Sequence, residues 1–107
     1  MSLLETAERL EKKGDYLGSL ELVLKFLENE PNNLKALELK ASLCMIKDRE
    51  PEAIRTYEKL LEFYESNDRI WKQLFALSTI SSAYWRLKSP DKALGCCERS
   101  IAICERF

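Results

Sequence analysis

The chain has 107 residues, 46% of them hydrophobic and 33% charged, a mixture that suits one folded domain rather than a disordered segment. Seventeen basic against eighteen acidic residues leave a net charge of −1, which gives no electrostatic ground for binding nucleic acid. The longest charge-free run, residues 73–85, falls well short of the roughly 20 apolar residues that a membrane span needs.

The first residues, "MSLLETAERLEKK", lack the basic-then-apolar order of an export signal. Ser2 and Glu5 form a capping-box pattern that predicts a helix from Leu3. Leu3, Ala7 and Leu10 lie along one stripe, and Gly14 supplies the stop. Asp15 is placed to cap a second helix, with Leu20, Val23, Leu24 and Leu27 as its apolar set. Pro31 ends that helix, and the two asparagines after it offer an N-cap for a third. The third runs from about Leu34 to Lys47, with Leu37, Ala41 and Cys44 aligned.

Pro51 fits the first turn of a fourth helix, where its missing N–H costs nothing. Ala53, Tyr57, Leu60, Leu61 and Tyr64 mark its buried face. A fifth helix is predicted from about Asp68 to Leu87. Ser89 and Pro90 open a sixth that reaches nearly to Phe107. No segment alternates with period two over a strand's length, so the chain reads as all-α.

The helix pairs repeat. Leu3, Ala7, Leu10 and Ser19 are followed 34 residues later by Leu37, Ala41, Cys44 and Ala53. After six extra residues the same slots hold Leu77, Ser81, Tyr84 and Ala93. With "KKGDYLGSLELVLKFLENEPNN" (residues 12–33), this spacing resembles the tetratricopeptide repeat over essentially the whole chain. The resemblance implies one domain, residues 1–107, built as a right-handed superhelical stack of three helical hairpins (about 1–33, 34–67 and 74–107). The chain departs from the family's pattern at Thr6 and Lys40, which stand in a usually aliphatic slot. Phe26 stands where alanine is usual, and only the first unit keeps its proline.

Cys96 and Cys97 stand side by side. The repeat places Cys97 in an interior slot with Cys96 beside it, pointing about 100° away. Adjacent helical cysteines do not chelate one ion together, and there is neither a CxxC pair nor a histidine to complete a zinc site. Cys97 and Cys104 are two turns apart, too far for a disulfide. All four cysteines, outside any secretory context, read as reduced thiols in a cytoplasmic protein. With no histidine, glycine-rich phosphate loop or nucleophile elbow, no catalytic residue, cofactor or metal is assigned.

The resemblance implies instead a protein-binding groove lined by the first helix of each pair. Carried over by position, the groove comprises Leu4, Glu5, Glu8 and Glu11 from the first unit. The second contributes Lys35, Glu38, Leu39, Ser42 and Met45, and the third Phe75, Ser78, Thr79, Ser82, Trp85 and Arg86. Members of the family that grip chaperone C-termini use lysines, asparagines and an arginine. Here Leu4, Glu8, Leu39, Phe75 and Thr79 stand at those places, and Glu8 would repel a carboxylate. The expected partner is a protein segment, apolar at its centre and basic where it meets Glu5, Glu8 and Glu38; neither nucleic acid nor a membrane is expected.

Trp71, Phe75, Ser78, Ser82 and Trp85 form a second stripe on the fifth helix. Packing against the preceding pair is its favoured reading, with Trp85 and Phe75 as open anchors the alternative. Leu94, Cys97, Ile101 and Cys104 recur at 3, 4 and 3 residues on the sixth helix, a stripe that a following helix would normally cover. It predicts either a homodimer through the C-terminal helix pair or a fragment of a longer array.

Overall fold

The computed structural model describes residues 2–106; Met1 and Phe107, included in the first and third expected units, lie outside the described residues. These residues form six α-helices and no strand: α1 (Leu3–Lys12), α2 (Tyr16–Asn29), α3 (Leu34–Ile46), α4 (Glu50–Ser66), α5 (Ile70–Arg86) and α6 (Pro90–Arg106). α1, α2 and α3 start where short polar side chains satisfy orphan N–H groups, whereas α4 and α5 follow Arg49 and Arg69 and have no side-chain cap. The Glu5 N–H donates to Ser2 Oγ at 3.1 Å, that of Gly18 to Asp15 Oδ1 at 3.0 Å, and that of Ala36 to Asn33 Oδ1 at 3.0 Å. Pro51 lies in the first turn of α4.

Four helices stop in the same way. Gly14, Asp48, Asp68 and Lys88 take left-handed backbone conformations, with φ of 88°, 58°, 53° and 59°. The next N–H in each case reaches back to a carbonyl in the last turn: Asp15 to Leu10 at 2.9 Å, Arg49 to Cys44 at 2.7 Å, Arg69 to Tyr64 at 2.9 Å, and Ser89 to Tyr84 at 2.8 Å. Gly14, Asp48 and Lys88 are separated by 34 and then 40 residues, the spacing of the apolar slots. The α2–α3 turn differs: it runs through Pro31, and the Asn33 N–H returns to the Glu30 carbonyl at 3.2 Å.

Each helix packs chiefly on the helices before and after it in the chain. Within the hairpins, small residues twelve apart let the backbones approach. Ser19 Oγ of α2 donates to the Ala7 carbonyl of α1 at 2.6 Å, and Ser81 Oγ of α5 donates to the Ala93 carbonyl of α6 at 3.4 Å. Ala41 and Ala53, the matching pair between, are fully buried. Leu20, Val23, Leu37, Leu43, Leu60, Leu61, Leu77 and Ile80 join one continuous core. Each such side chain contributes about 2 kcal/mol of transfer free energy.

Charged side chains link three of the four pairs of alternate helices. Lys35 of α3 meets Glu8 of α1 at 3.7 Å, Lys72 of α5 meets Glu38 of α3 at 2.9 Å, and Arg99 of α6 meets Glu58 of α4 at 2.9 Å. These pairs are partly exposed and worth at most about 1 kcal/mol each, so they guide register more than they hold the fold.

Three expectations need correcting. Leu3 and Leu24, assigned to apolar faces, are exposed. Cys97, assigned to the interior, is exposed, whereas its neighbour Cys96 is buried in the core. The reason is positional: Val23 and Tyr57, in the slots matching Cys97, are buried on helices that have a later helix packed on them, and α6 has none among the described residues.

Candidate functional site

α5 is packed on one side only. Gln73, Ala76, Leu77, Ile80 and Ala83 are buried, while the side turned away carries Trp71, Phe75, Ser78, Ser82 and Trp85, all exposed. The aromatic exposures are high: 83% for Trp71, 66% for Phe75 and 61% for Trp85. The favoured expectation of packing against the preceding pair therefore fails for this stripe. On a helix, residues 71, 75, 78, 82 and 85 fall opposite residues 73, 77 and 80, so a face that buries the second set turns the first outward. The hydroxyls between the aromatics turn back on their own helix: Ser82 donates to the Ser78 carbonyl at 3.2 Å and Thr79 to that of Phe75 at 3.0 Å.

Beside this stripe, α3, α4 and α5 enclose a cleft of about 350 Å³, lined by Glu38, Ser42, Tyr57, Tyr64, Trp71, Lys72 and Phe75. The Tyr64 hydroxyl donates to Glu38 Oε2, and Lys72 Nζ donates to the same oxygen at 2.9 Å. The lysine ammonium also lies 5.6 Å from the Tyr64 ring centroid, within range of a cation–π attraction. Burial, reinforced by the hydrogen bond to an anionic acceptor, pushes the Tyr64 phenol well above its ordinary value. Burial also raises Tyr57. The floor is thus a neutral phenol and a paired carboxylate, and the walls are aromatic. This arrangement has a place for an apolar or cationic side chain and no activated nucleophile.

The residues assigned from sequence do not all come together. Glu38, Ser42 and Phe75 come together in the cleft, and Ser78, Ser82 and Trp85 continue the open face of α5. Arg86 donates to the Met45 carbonyl at 3.0 Å and approaches Asp48 at 3.9 Å, tying the far ends of α3 and α5; Met45 itself is half-buried. Leu4 is buried and Leu39 half-buried against the core, so Leu4 offers no groove surface, a correction to its assignment. Glu5 is engaged with Ser2 at the α1 cap and Glu8 with Lys35, both away from the cleft lining. Tyr57, Tyr64, Trp71 and Lys72 were absent from the assigned set. The tyrosines read as core from sequence, which they are, and only the tertiary packing turns their edges into the cleft floor.

On α6, Leu94, Cys97, Ile101 and Cys104 are all exposed. Cys97 Sγ lies 4.0 Å from Ser81 Oγ of α5, so the stripe borders that helix. Cys104 shares a second cleft of about 550 Å³ with Ile70, Trp71 and Leu74. Burial raises the thiols of Cys44 and Cys96, which makes them poor nucleophiles. Among the described residues no helix is long and apolar enough to cross a membrane. No group of three or more cysteine or acidic side chains there is placed to hold a metal ion. Comparison with protein-family models and with curated proteins finds no match to this chain.

Proposed function

We propose that the chain is a tetratricopeptide-like interaction module, a right-handed stack of three helical hairpins that binds a segment of another protein. The observation that carries this reading is the open aromatic face of α5, Trp71, Phe75 and Trp85, beside the cleft that holds Glu38. Large aromatics left in water next to a concave, partly charged surface are the usual anchors of a protein interface. The hairpin architecture is supported by the recurrence of left-handed turns at Gly14, Asp48 and Lys88 and of the small pairs Ala7/Ser19, Ala41/Ala53 and Ser81/Ala93. The bound segment is apolar where it meets Trp71 and Phe75, beside a Glu38 carboxylate already held by Lys72 and Tyr64. The chain acts without catalysis, in the reducing cytoplasm, a setting supported by its four free cysteines.

The test is a double substitution, Phe75→Ala with Trp85→Ala. Both side chains are exposed, so the helical circular dichroism spectrum should be unchanged. Binding of a captured partner should weaken by about 2 kcal/mol for each anchor that the partner buries. A double variant that folds and binds as tightly as the parent would sink the proposal.

A further inference from the structure

The stripe on α6 has counterparts inside the same molecule. Forty residues before Leu94, Cys97, Ile101 and Cys104 stand Ile54, Tyr57, Leu61 and Tyr64 on α4, all buried, in a helix packed between α3 and α5. Thirty-four residues earlier still are Leu20 and Val23, buried on α2 between α1 and α3, and the half-buried Leu27. Among the described residues the same slots are covered twice by the next helix and left open once, with Leu94 59% and Ile101 57% exposed.

The charges around the open stripe narrow what fits it. Asp91, Glu98 and Glu105 recur every seven residues along its flank, all exposed, and none has an ion-pair partner among the described residues. Their register is informative: Glu58, forty residues before Glu98, is bound by Arg99 of a later helix at 2.9 Å. An apolar seam at 3–4–3 spacing with an acidic row beside it is the half of a helix–helix interface that selects basic flanks opposite.

A second copy of the chain is a poor match. The residues of α1 that correspond to the inward-facing Ala36, Leu39 and Leu43 of α3 are Ser2, Glu5 and Arg9, exposed and polar, so a head-to-tail copy offers no apolar face. An antiparallel α6–α6 pair sets one acidic row against the other, which repels.

We propose that the α5–α6 end face, centred on Leu94, Cys97 and Ile101 and adjoining the Glu38 cleft only at Trp71 and Lys72, is a second docking surface, and that its occupant is an amphipathic helix of another protein. That helix has a seam of alanine and aliphatic residues and a row of lysines or arginines on one flank. It settles over Leu94, Cys97 and Ile101 as α3 settles over Leu20 and Val23, with its basic row against Glu98 and Glu105.

The α3 segment itself is the natural probe, because it already seats on a stripe of matching size. A fluorescent peptide of residues 33–49 should bind the whole chain in an anisotropy titration, and a version with Lys40 and Lys47, which share one flank of the helix, replaced by Glu should not. Ile101→Glu, at an exposed position that leaves the fold intact, should weaken the lysine peptide at least about tenfold, whereas Phe75→Ala should not. Failure of the lysine peptide to bind, equal binding of both peptides, or indifference to Ile101→Glu overturns the proposal. So does sedimentation showing that the chain alone dimerises and that Ile101→Glu abolishes the dimer, because a second copy then occupies the face.

Discussion

Lys88 and Gly14 do the same conformational work with different side chains. Both close a helix at positive φ, 59° and 88°, a region that costs a residue with a Cβ roughly 1–2 kcal/mol and costs glycine little. Lys88→Gly should therefore raise stability by about 0.5–1 kcal/mol, after the extra freedom glycine gains when unfolded, and Gly14→Ala should lower it by a similar amount. Urea unfolding midpoints of the two variants, moving in opposite directions, would check this; movement in the same direction would refute it. The phenol of Tyr64 gives a pH-dependent counterpart. Burial and its bond to Glu38 raise it, so the folded chain keeps that proton after the unfolded chain has released it near the ordinary value of 10. Its contribution is complete below about pH 10 and is lost as pH climbs toward the raised value. Stability should thus decline from about pH 10 upward. Tyr64→Phe should flatten that decline while costing about 1 kcal/mol at neutral pH, with Glu38 still held by Lys72. Unfolding curves of both proteins from pH 8 to 11 would decide, and parallel slopes would rule out Tyr64 as the source.

At the scale of elements, the hairpins depend on small residues where two helices meet. Ala53 is fully buried opposite Ala41, as Ser19 is opposite Ala7. Replacing Ala53 by leucine inserts three heavy atoms where two backbones approach, at a cost of about 1–3 kcal/mol or more. Thermal unfolding should show a lower midpoint, and an unchanged one would mean that the contact is loose. These small slots were legible in the sequence, as were the helix starts at Ser2, Asp15 and Asn33, because each depends on a local pattern that repeats. The faces between successive pairs were less legible. Ala36, Leu43, Ala76 and Ala83 are buried, yet their side of the helix carries no uniform hydrophobic signal, being interrupted by Lys40, Thr79 and Gln73. Cys96 and Cys97 show the limit most clearly: the repeat fixes which slot each residue holds, but burial of that slot depends on whether a neighbouring helix is present to cover it. The stripe on α5 misled for the same reason. Aromatics at helical spacing look like core until the opposite side of the helix is seen to supply the packing.

The whole molecule is a chain of neighbours: α1 packs on α2, α2 on α3, and so on to α6, with extents of 43 × 31 × 22 Å. Contacts between elements distant in sequence are sparse, and the ion pairs that join alternate helices are partly exposed. Where contacts run mainly between successive helices, stability is close to a sum of local terms and nearest-neighbour interfaces, so damage should spread according to position. Leu43 is fully buried in α3, which packs on both α2 and α4, and Leu43→Ala should cost about 3 kcal/mol. Its loss weakens the middle of the array and should lower amide protection in every helix. Leu4 is buried in α1, which packs chiefly on α2. Leu4→Ala should lower protection in α1 and α2 while leaving α5 and α6 nearly as they were. Native-state hydrogen exchange of the two variants reads this directly, helix by helix. If Leu4→Ala instead lowers protection evenly to the end of α6, the molecule unfolds as a single unit and the nearest-neighbour description is wrong.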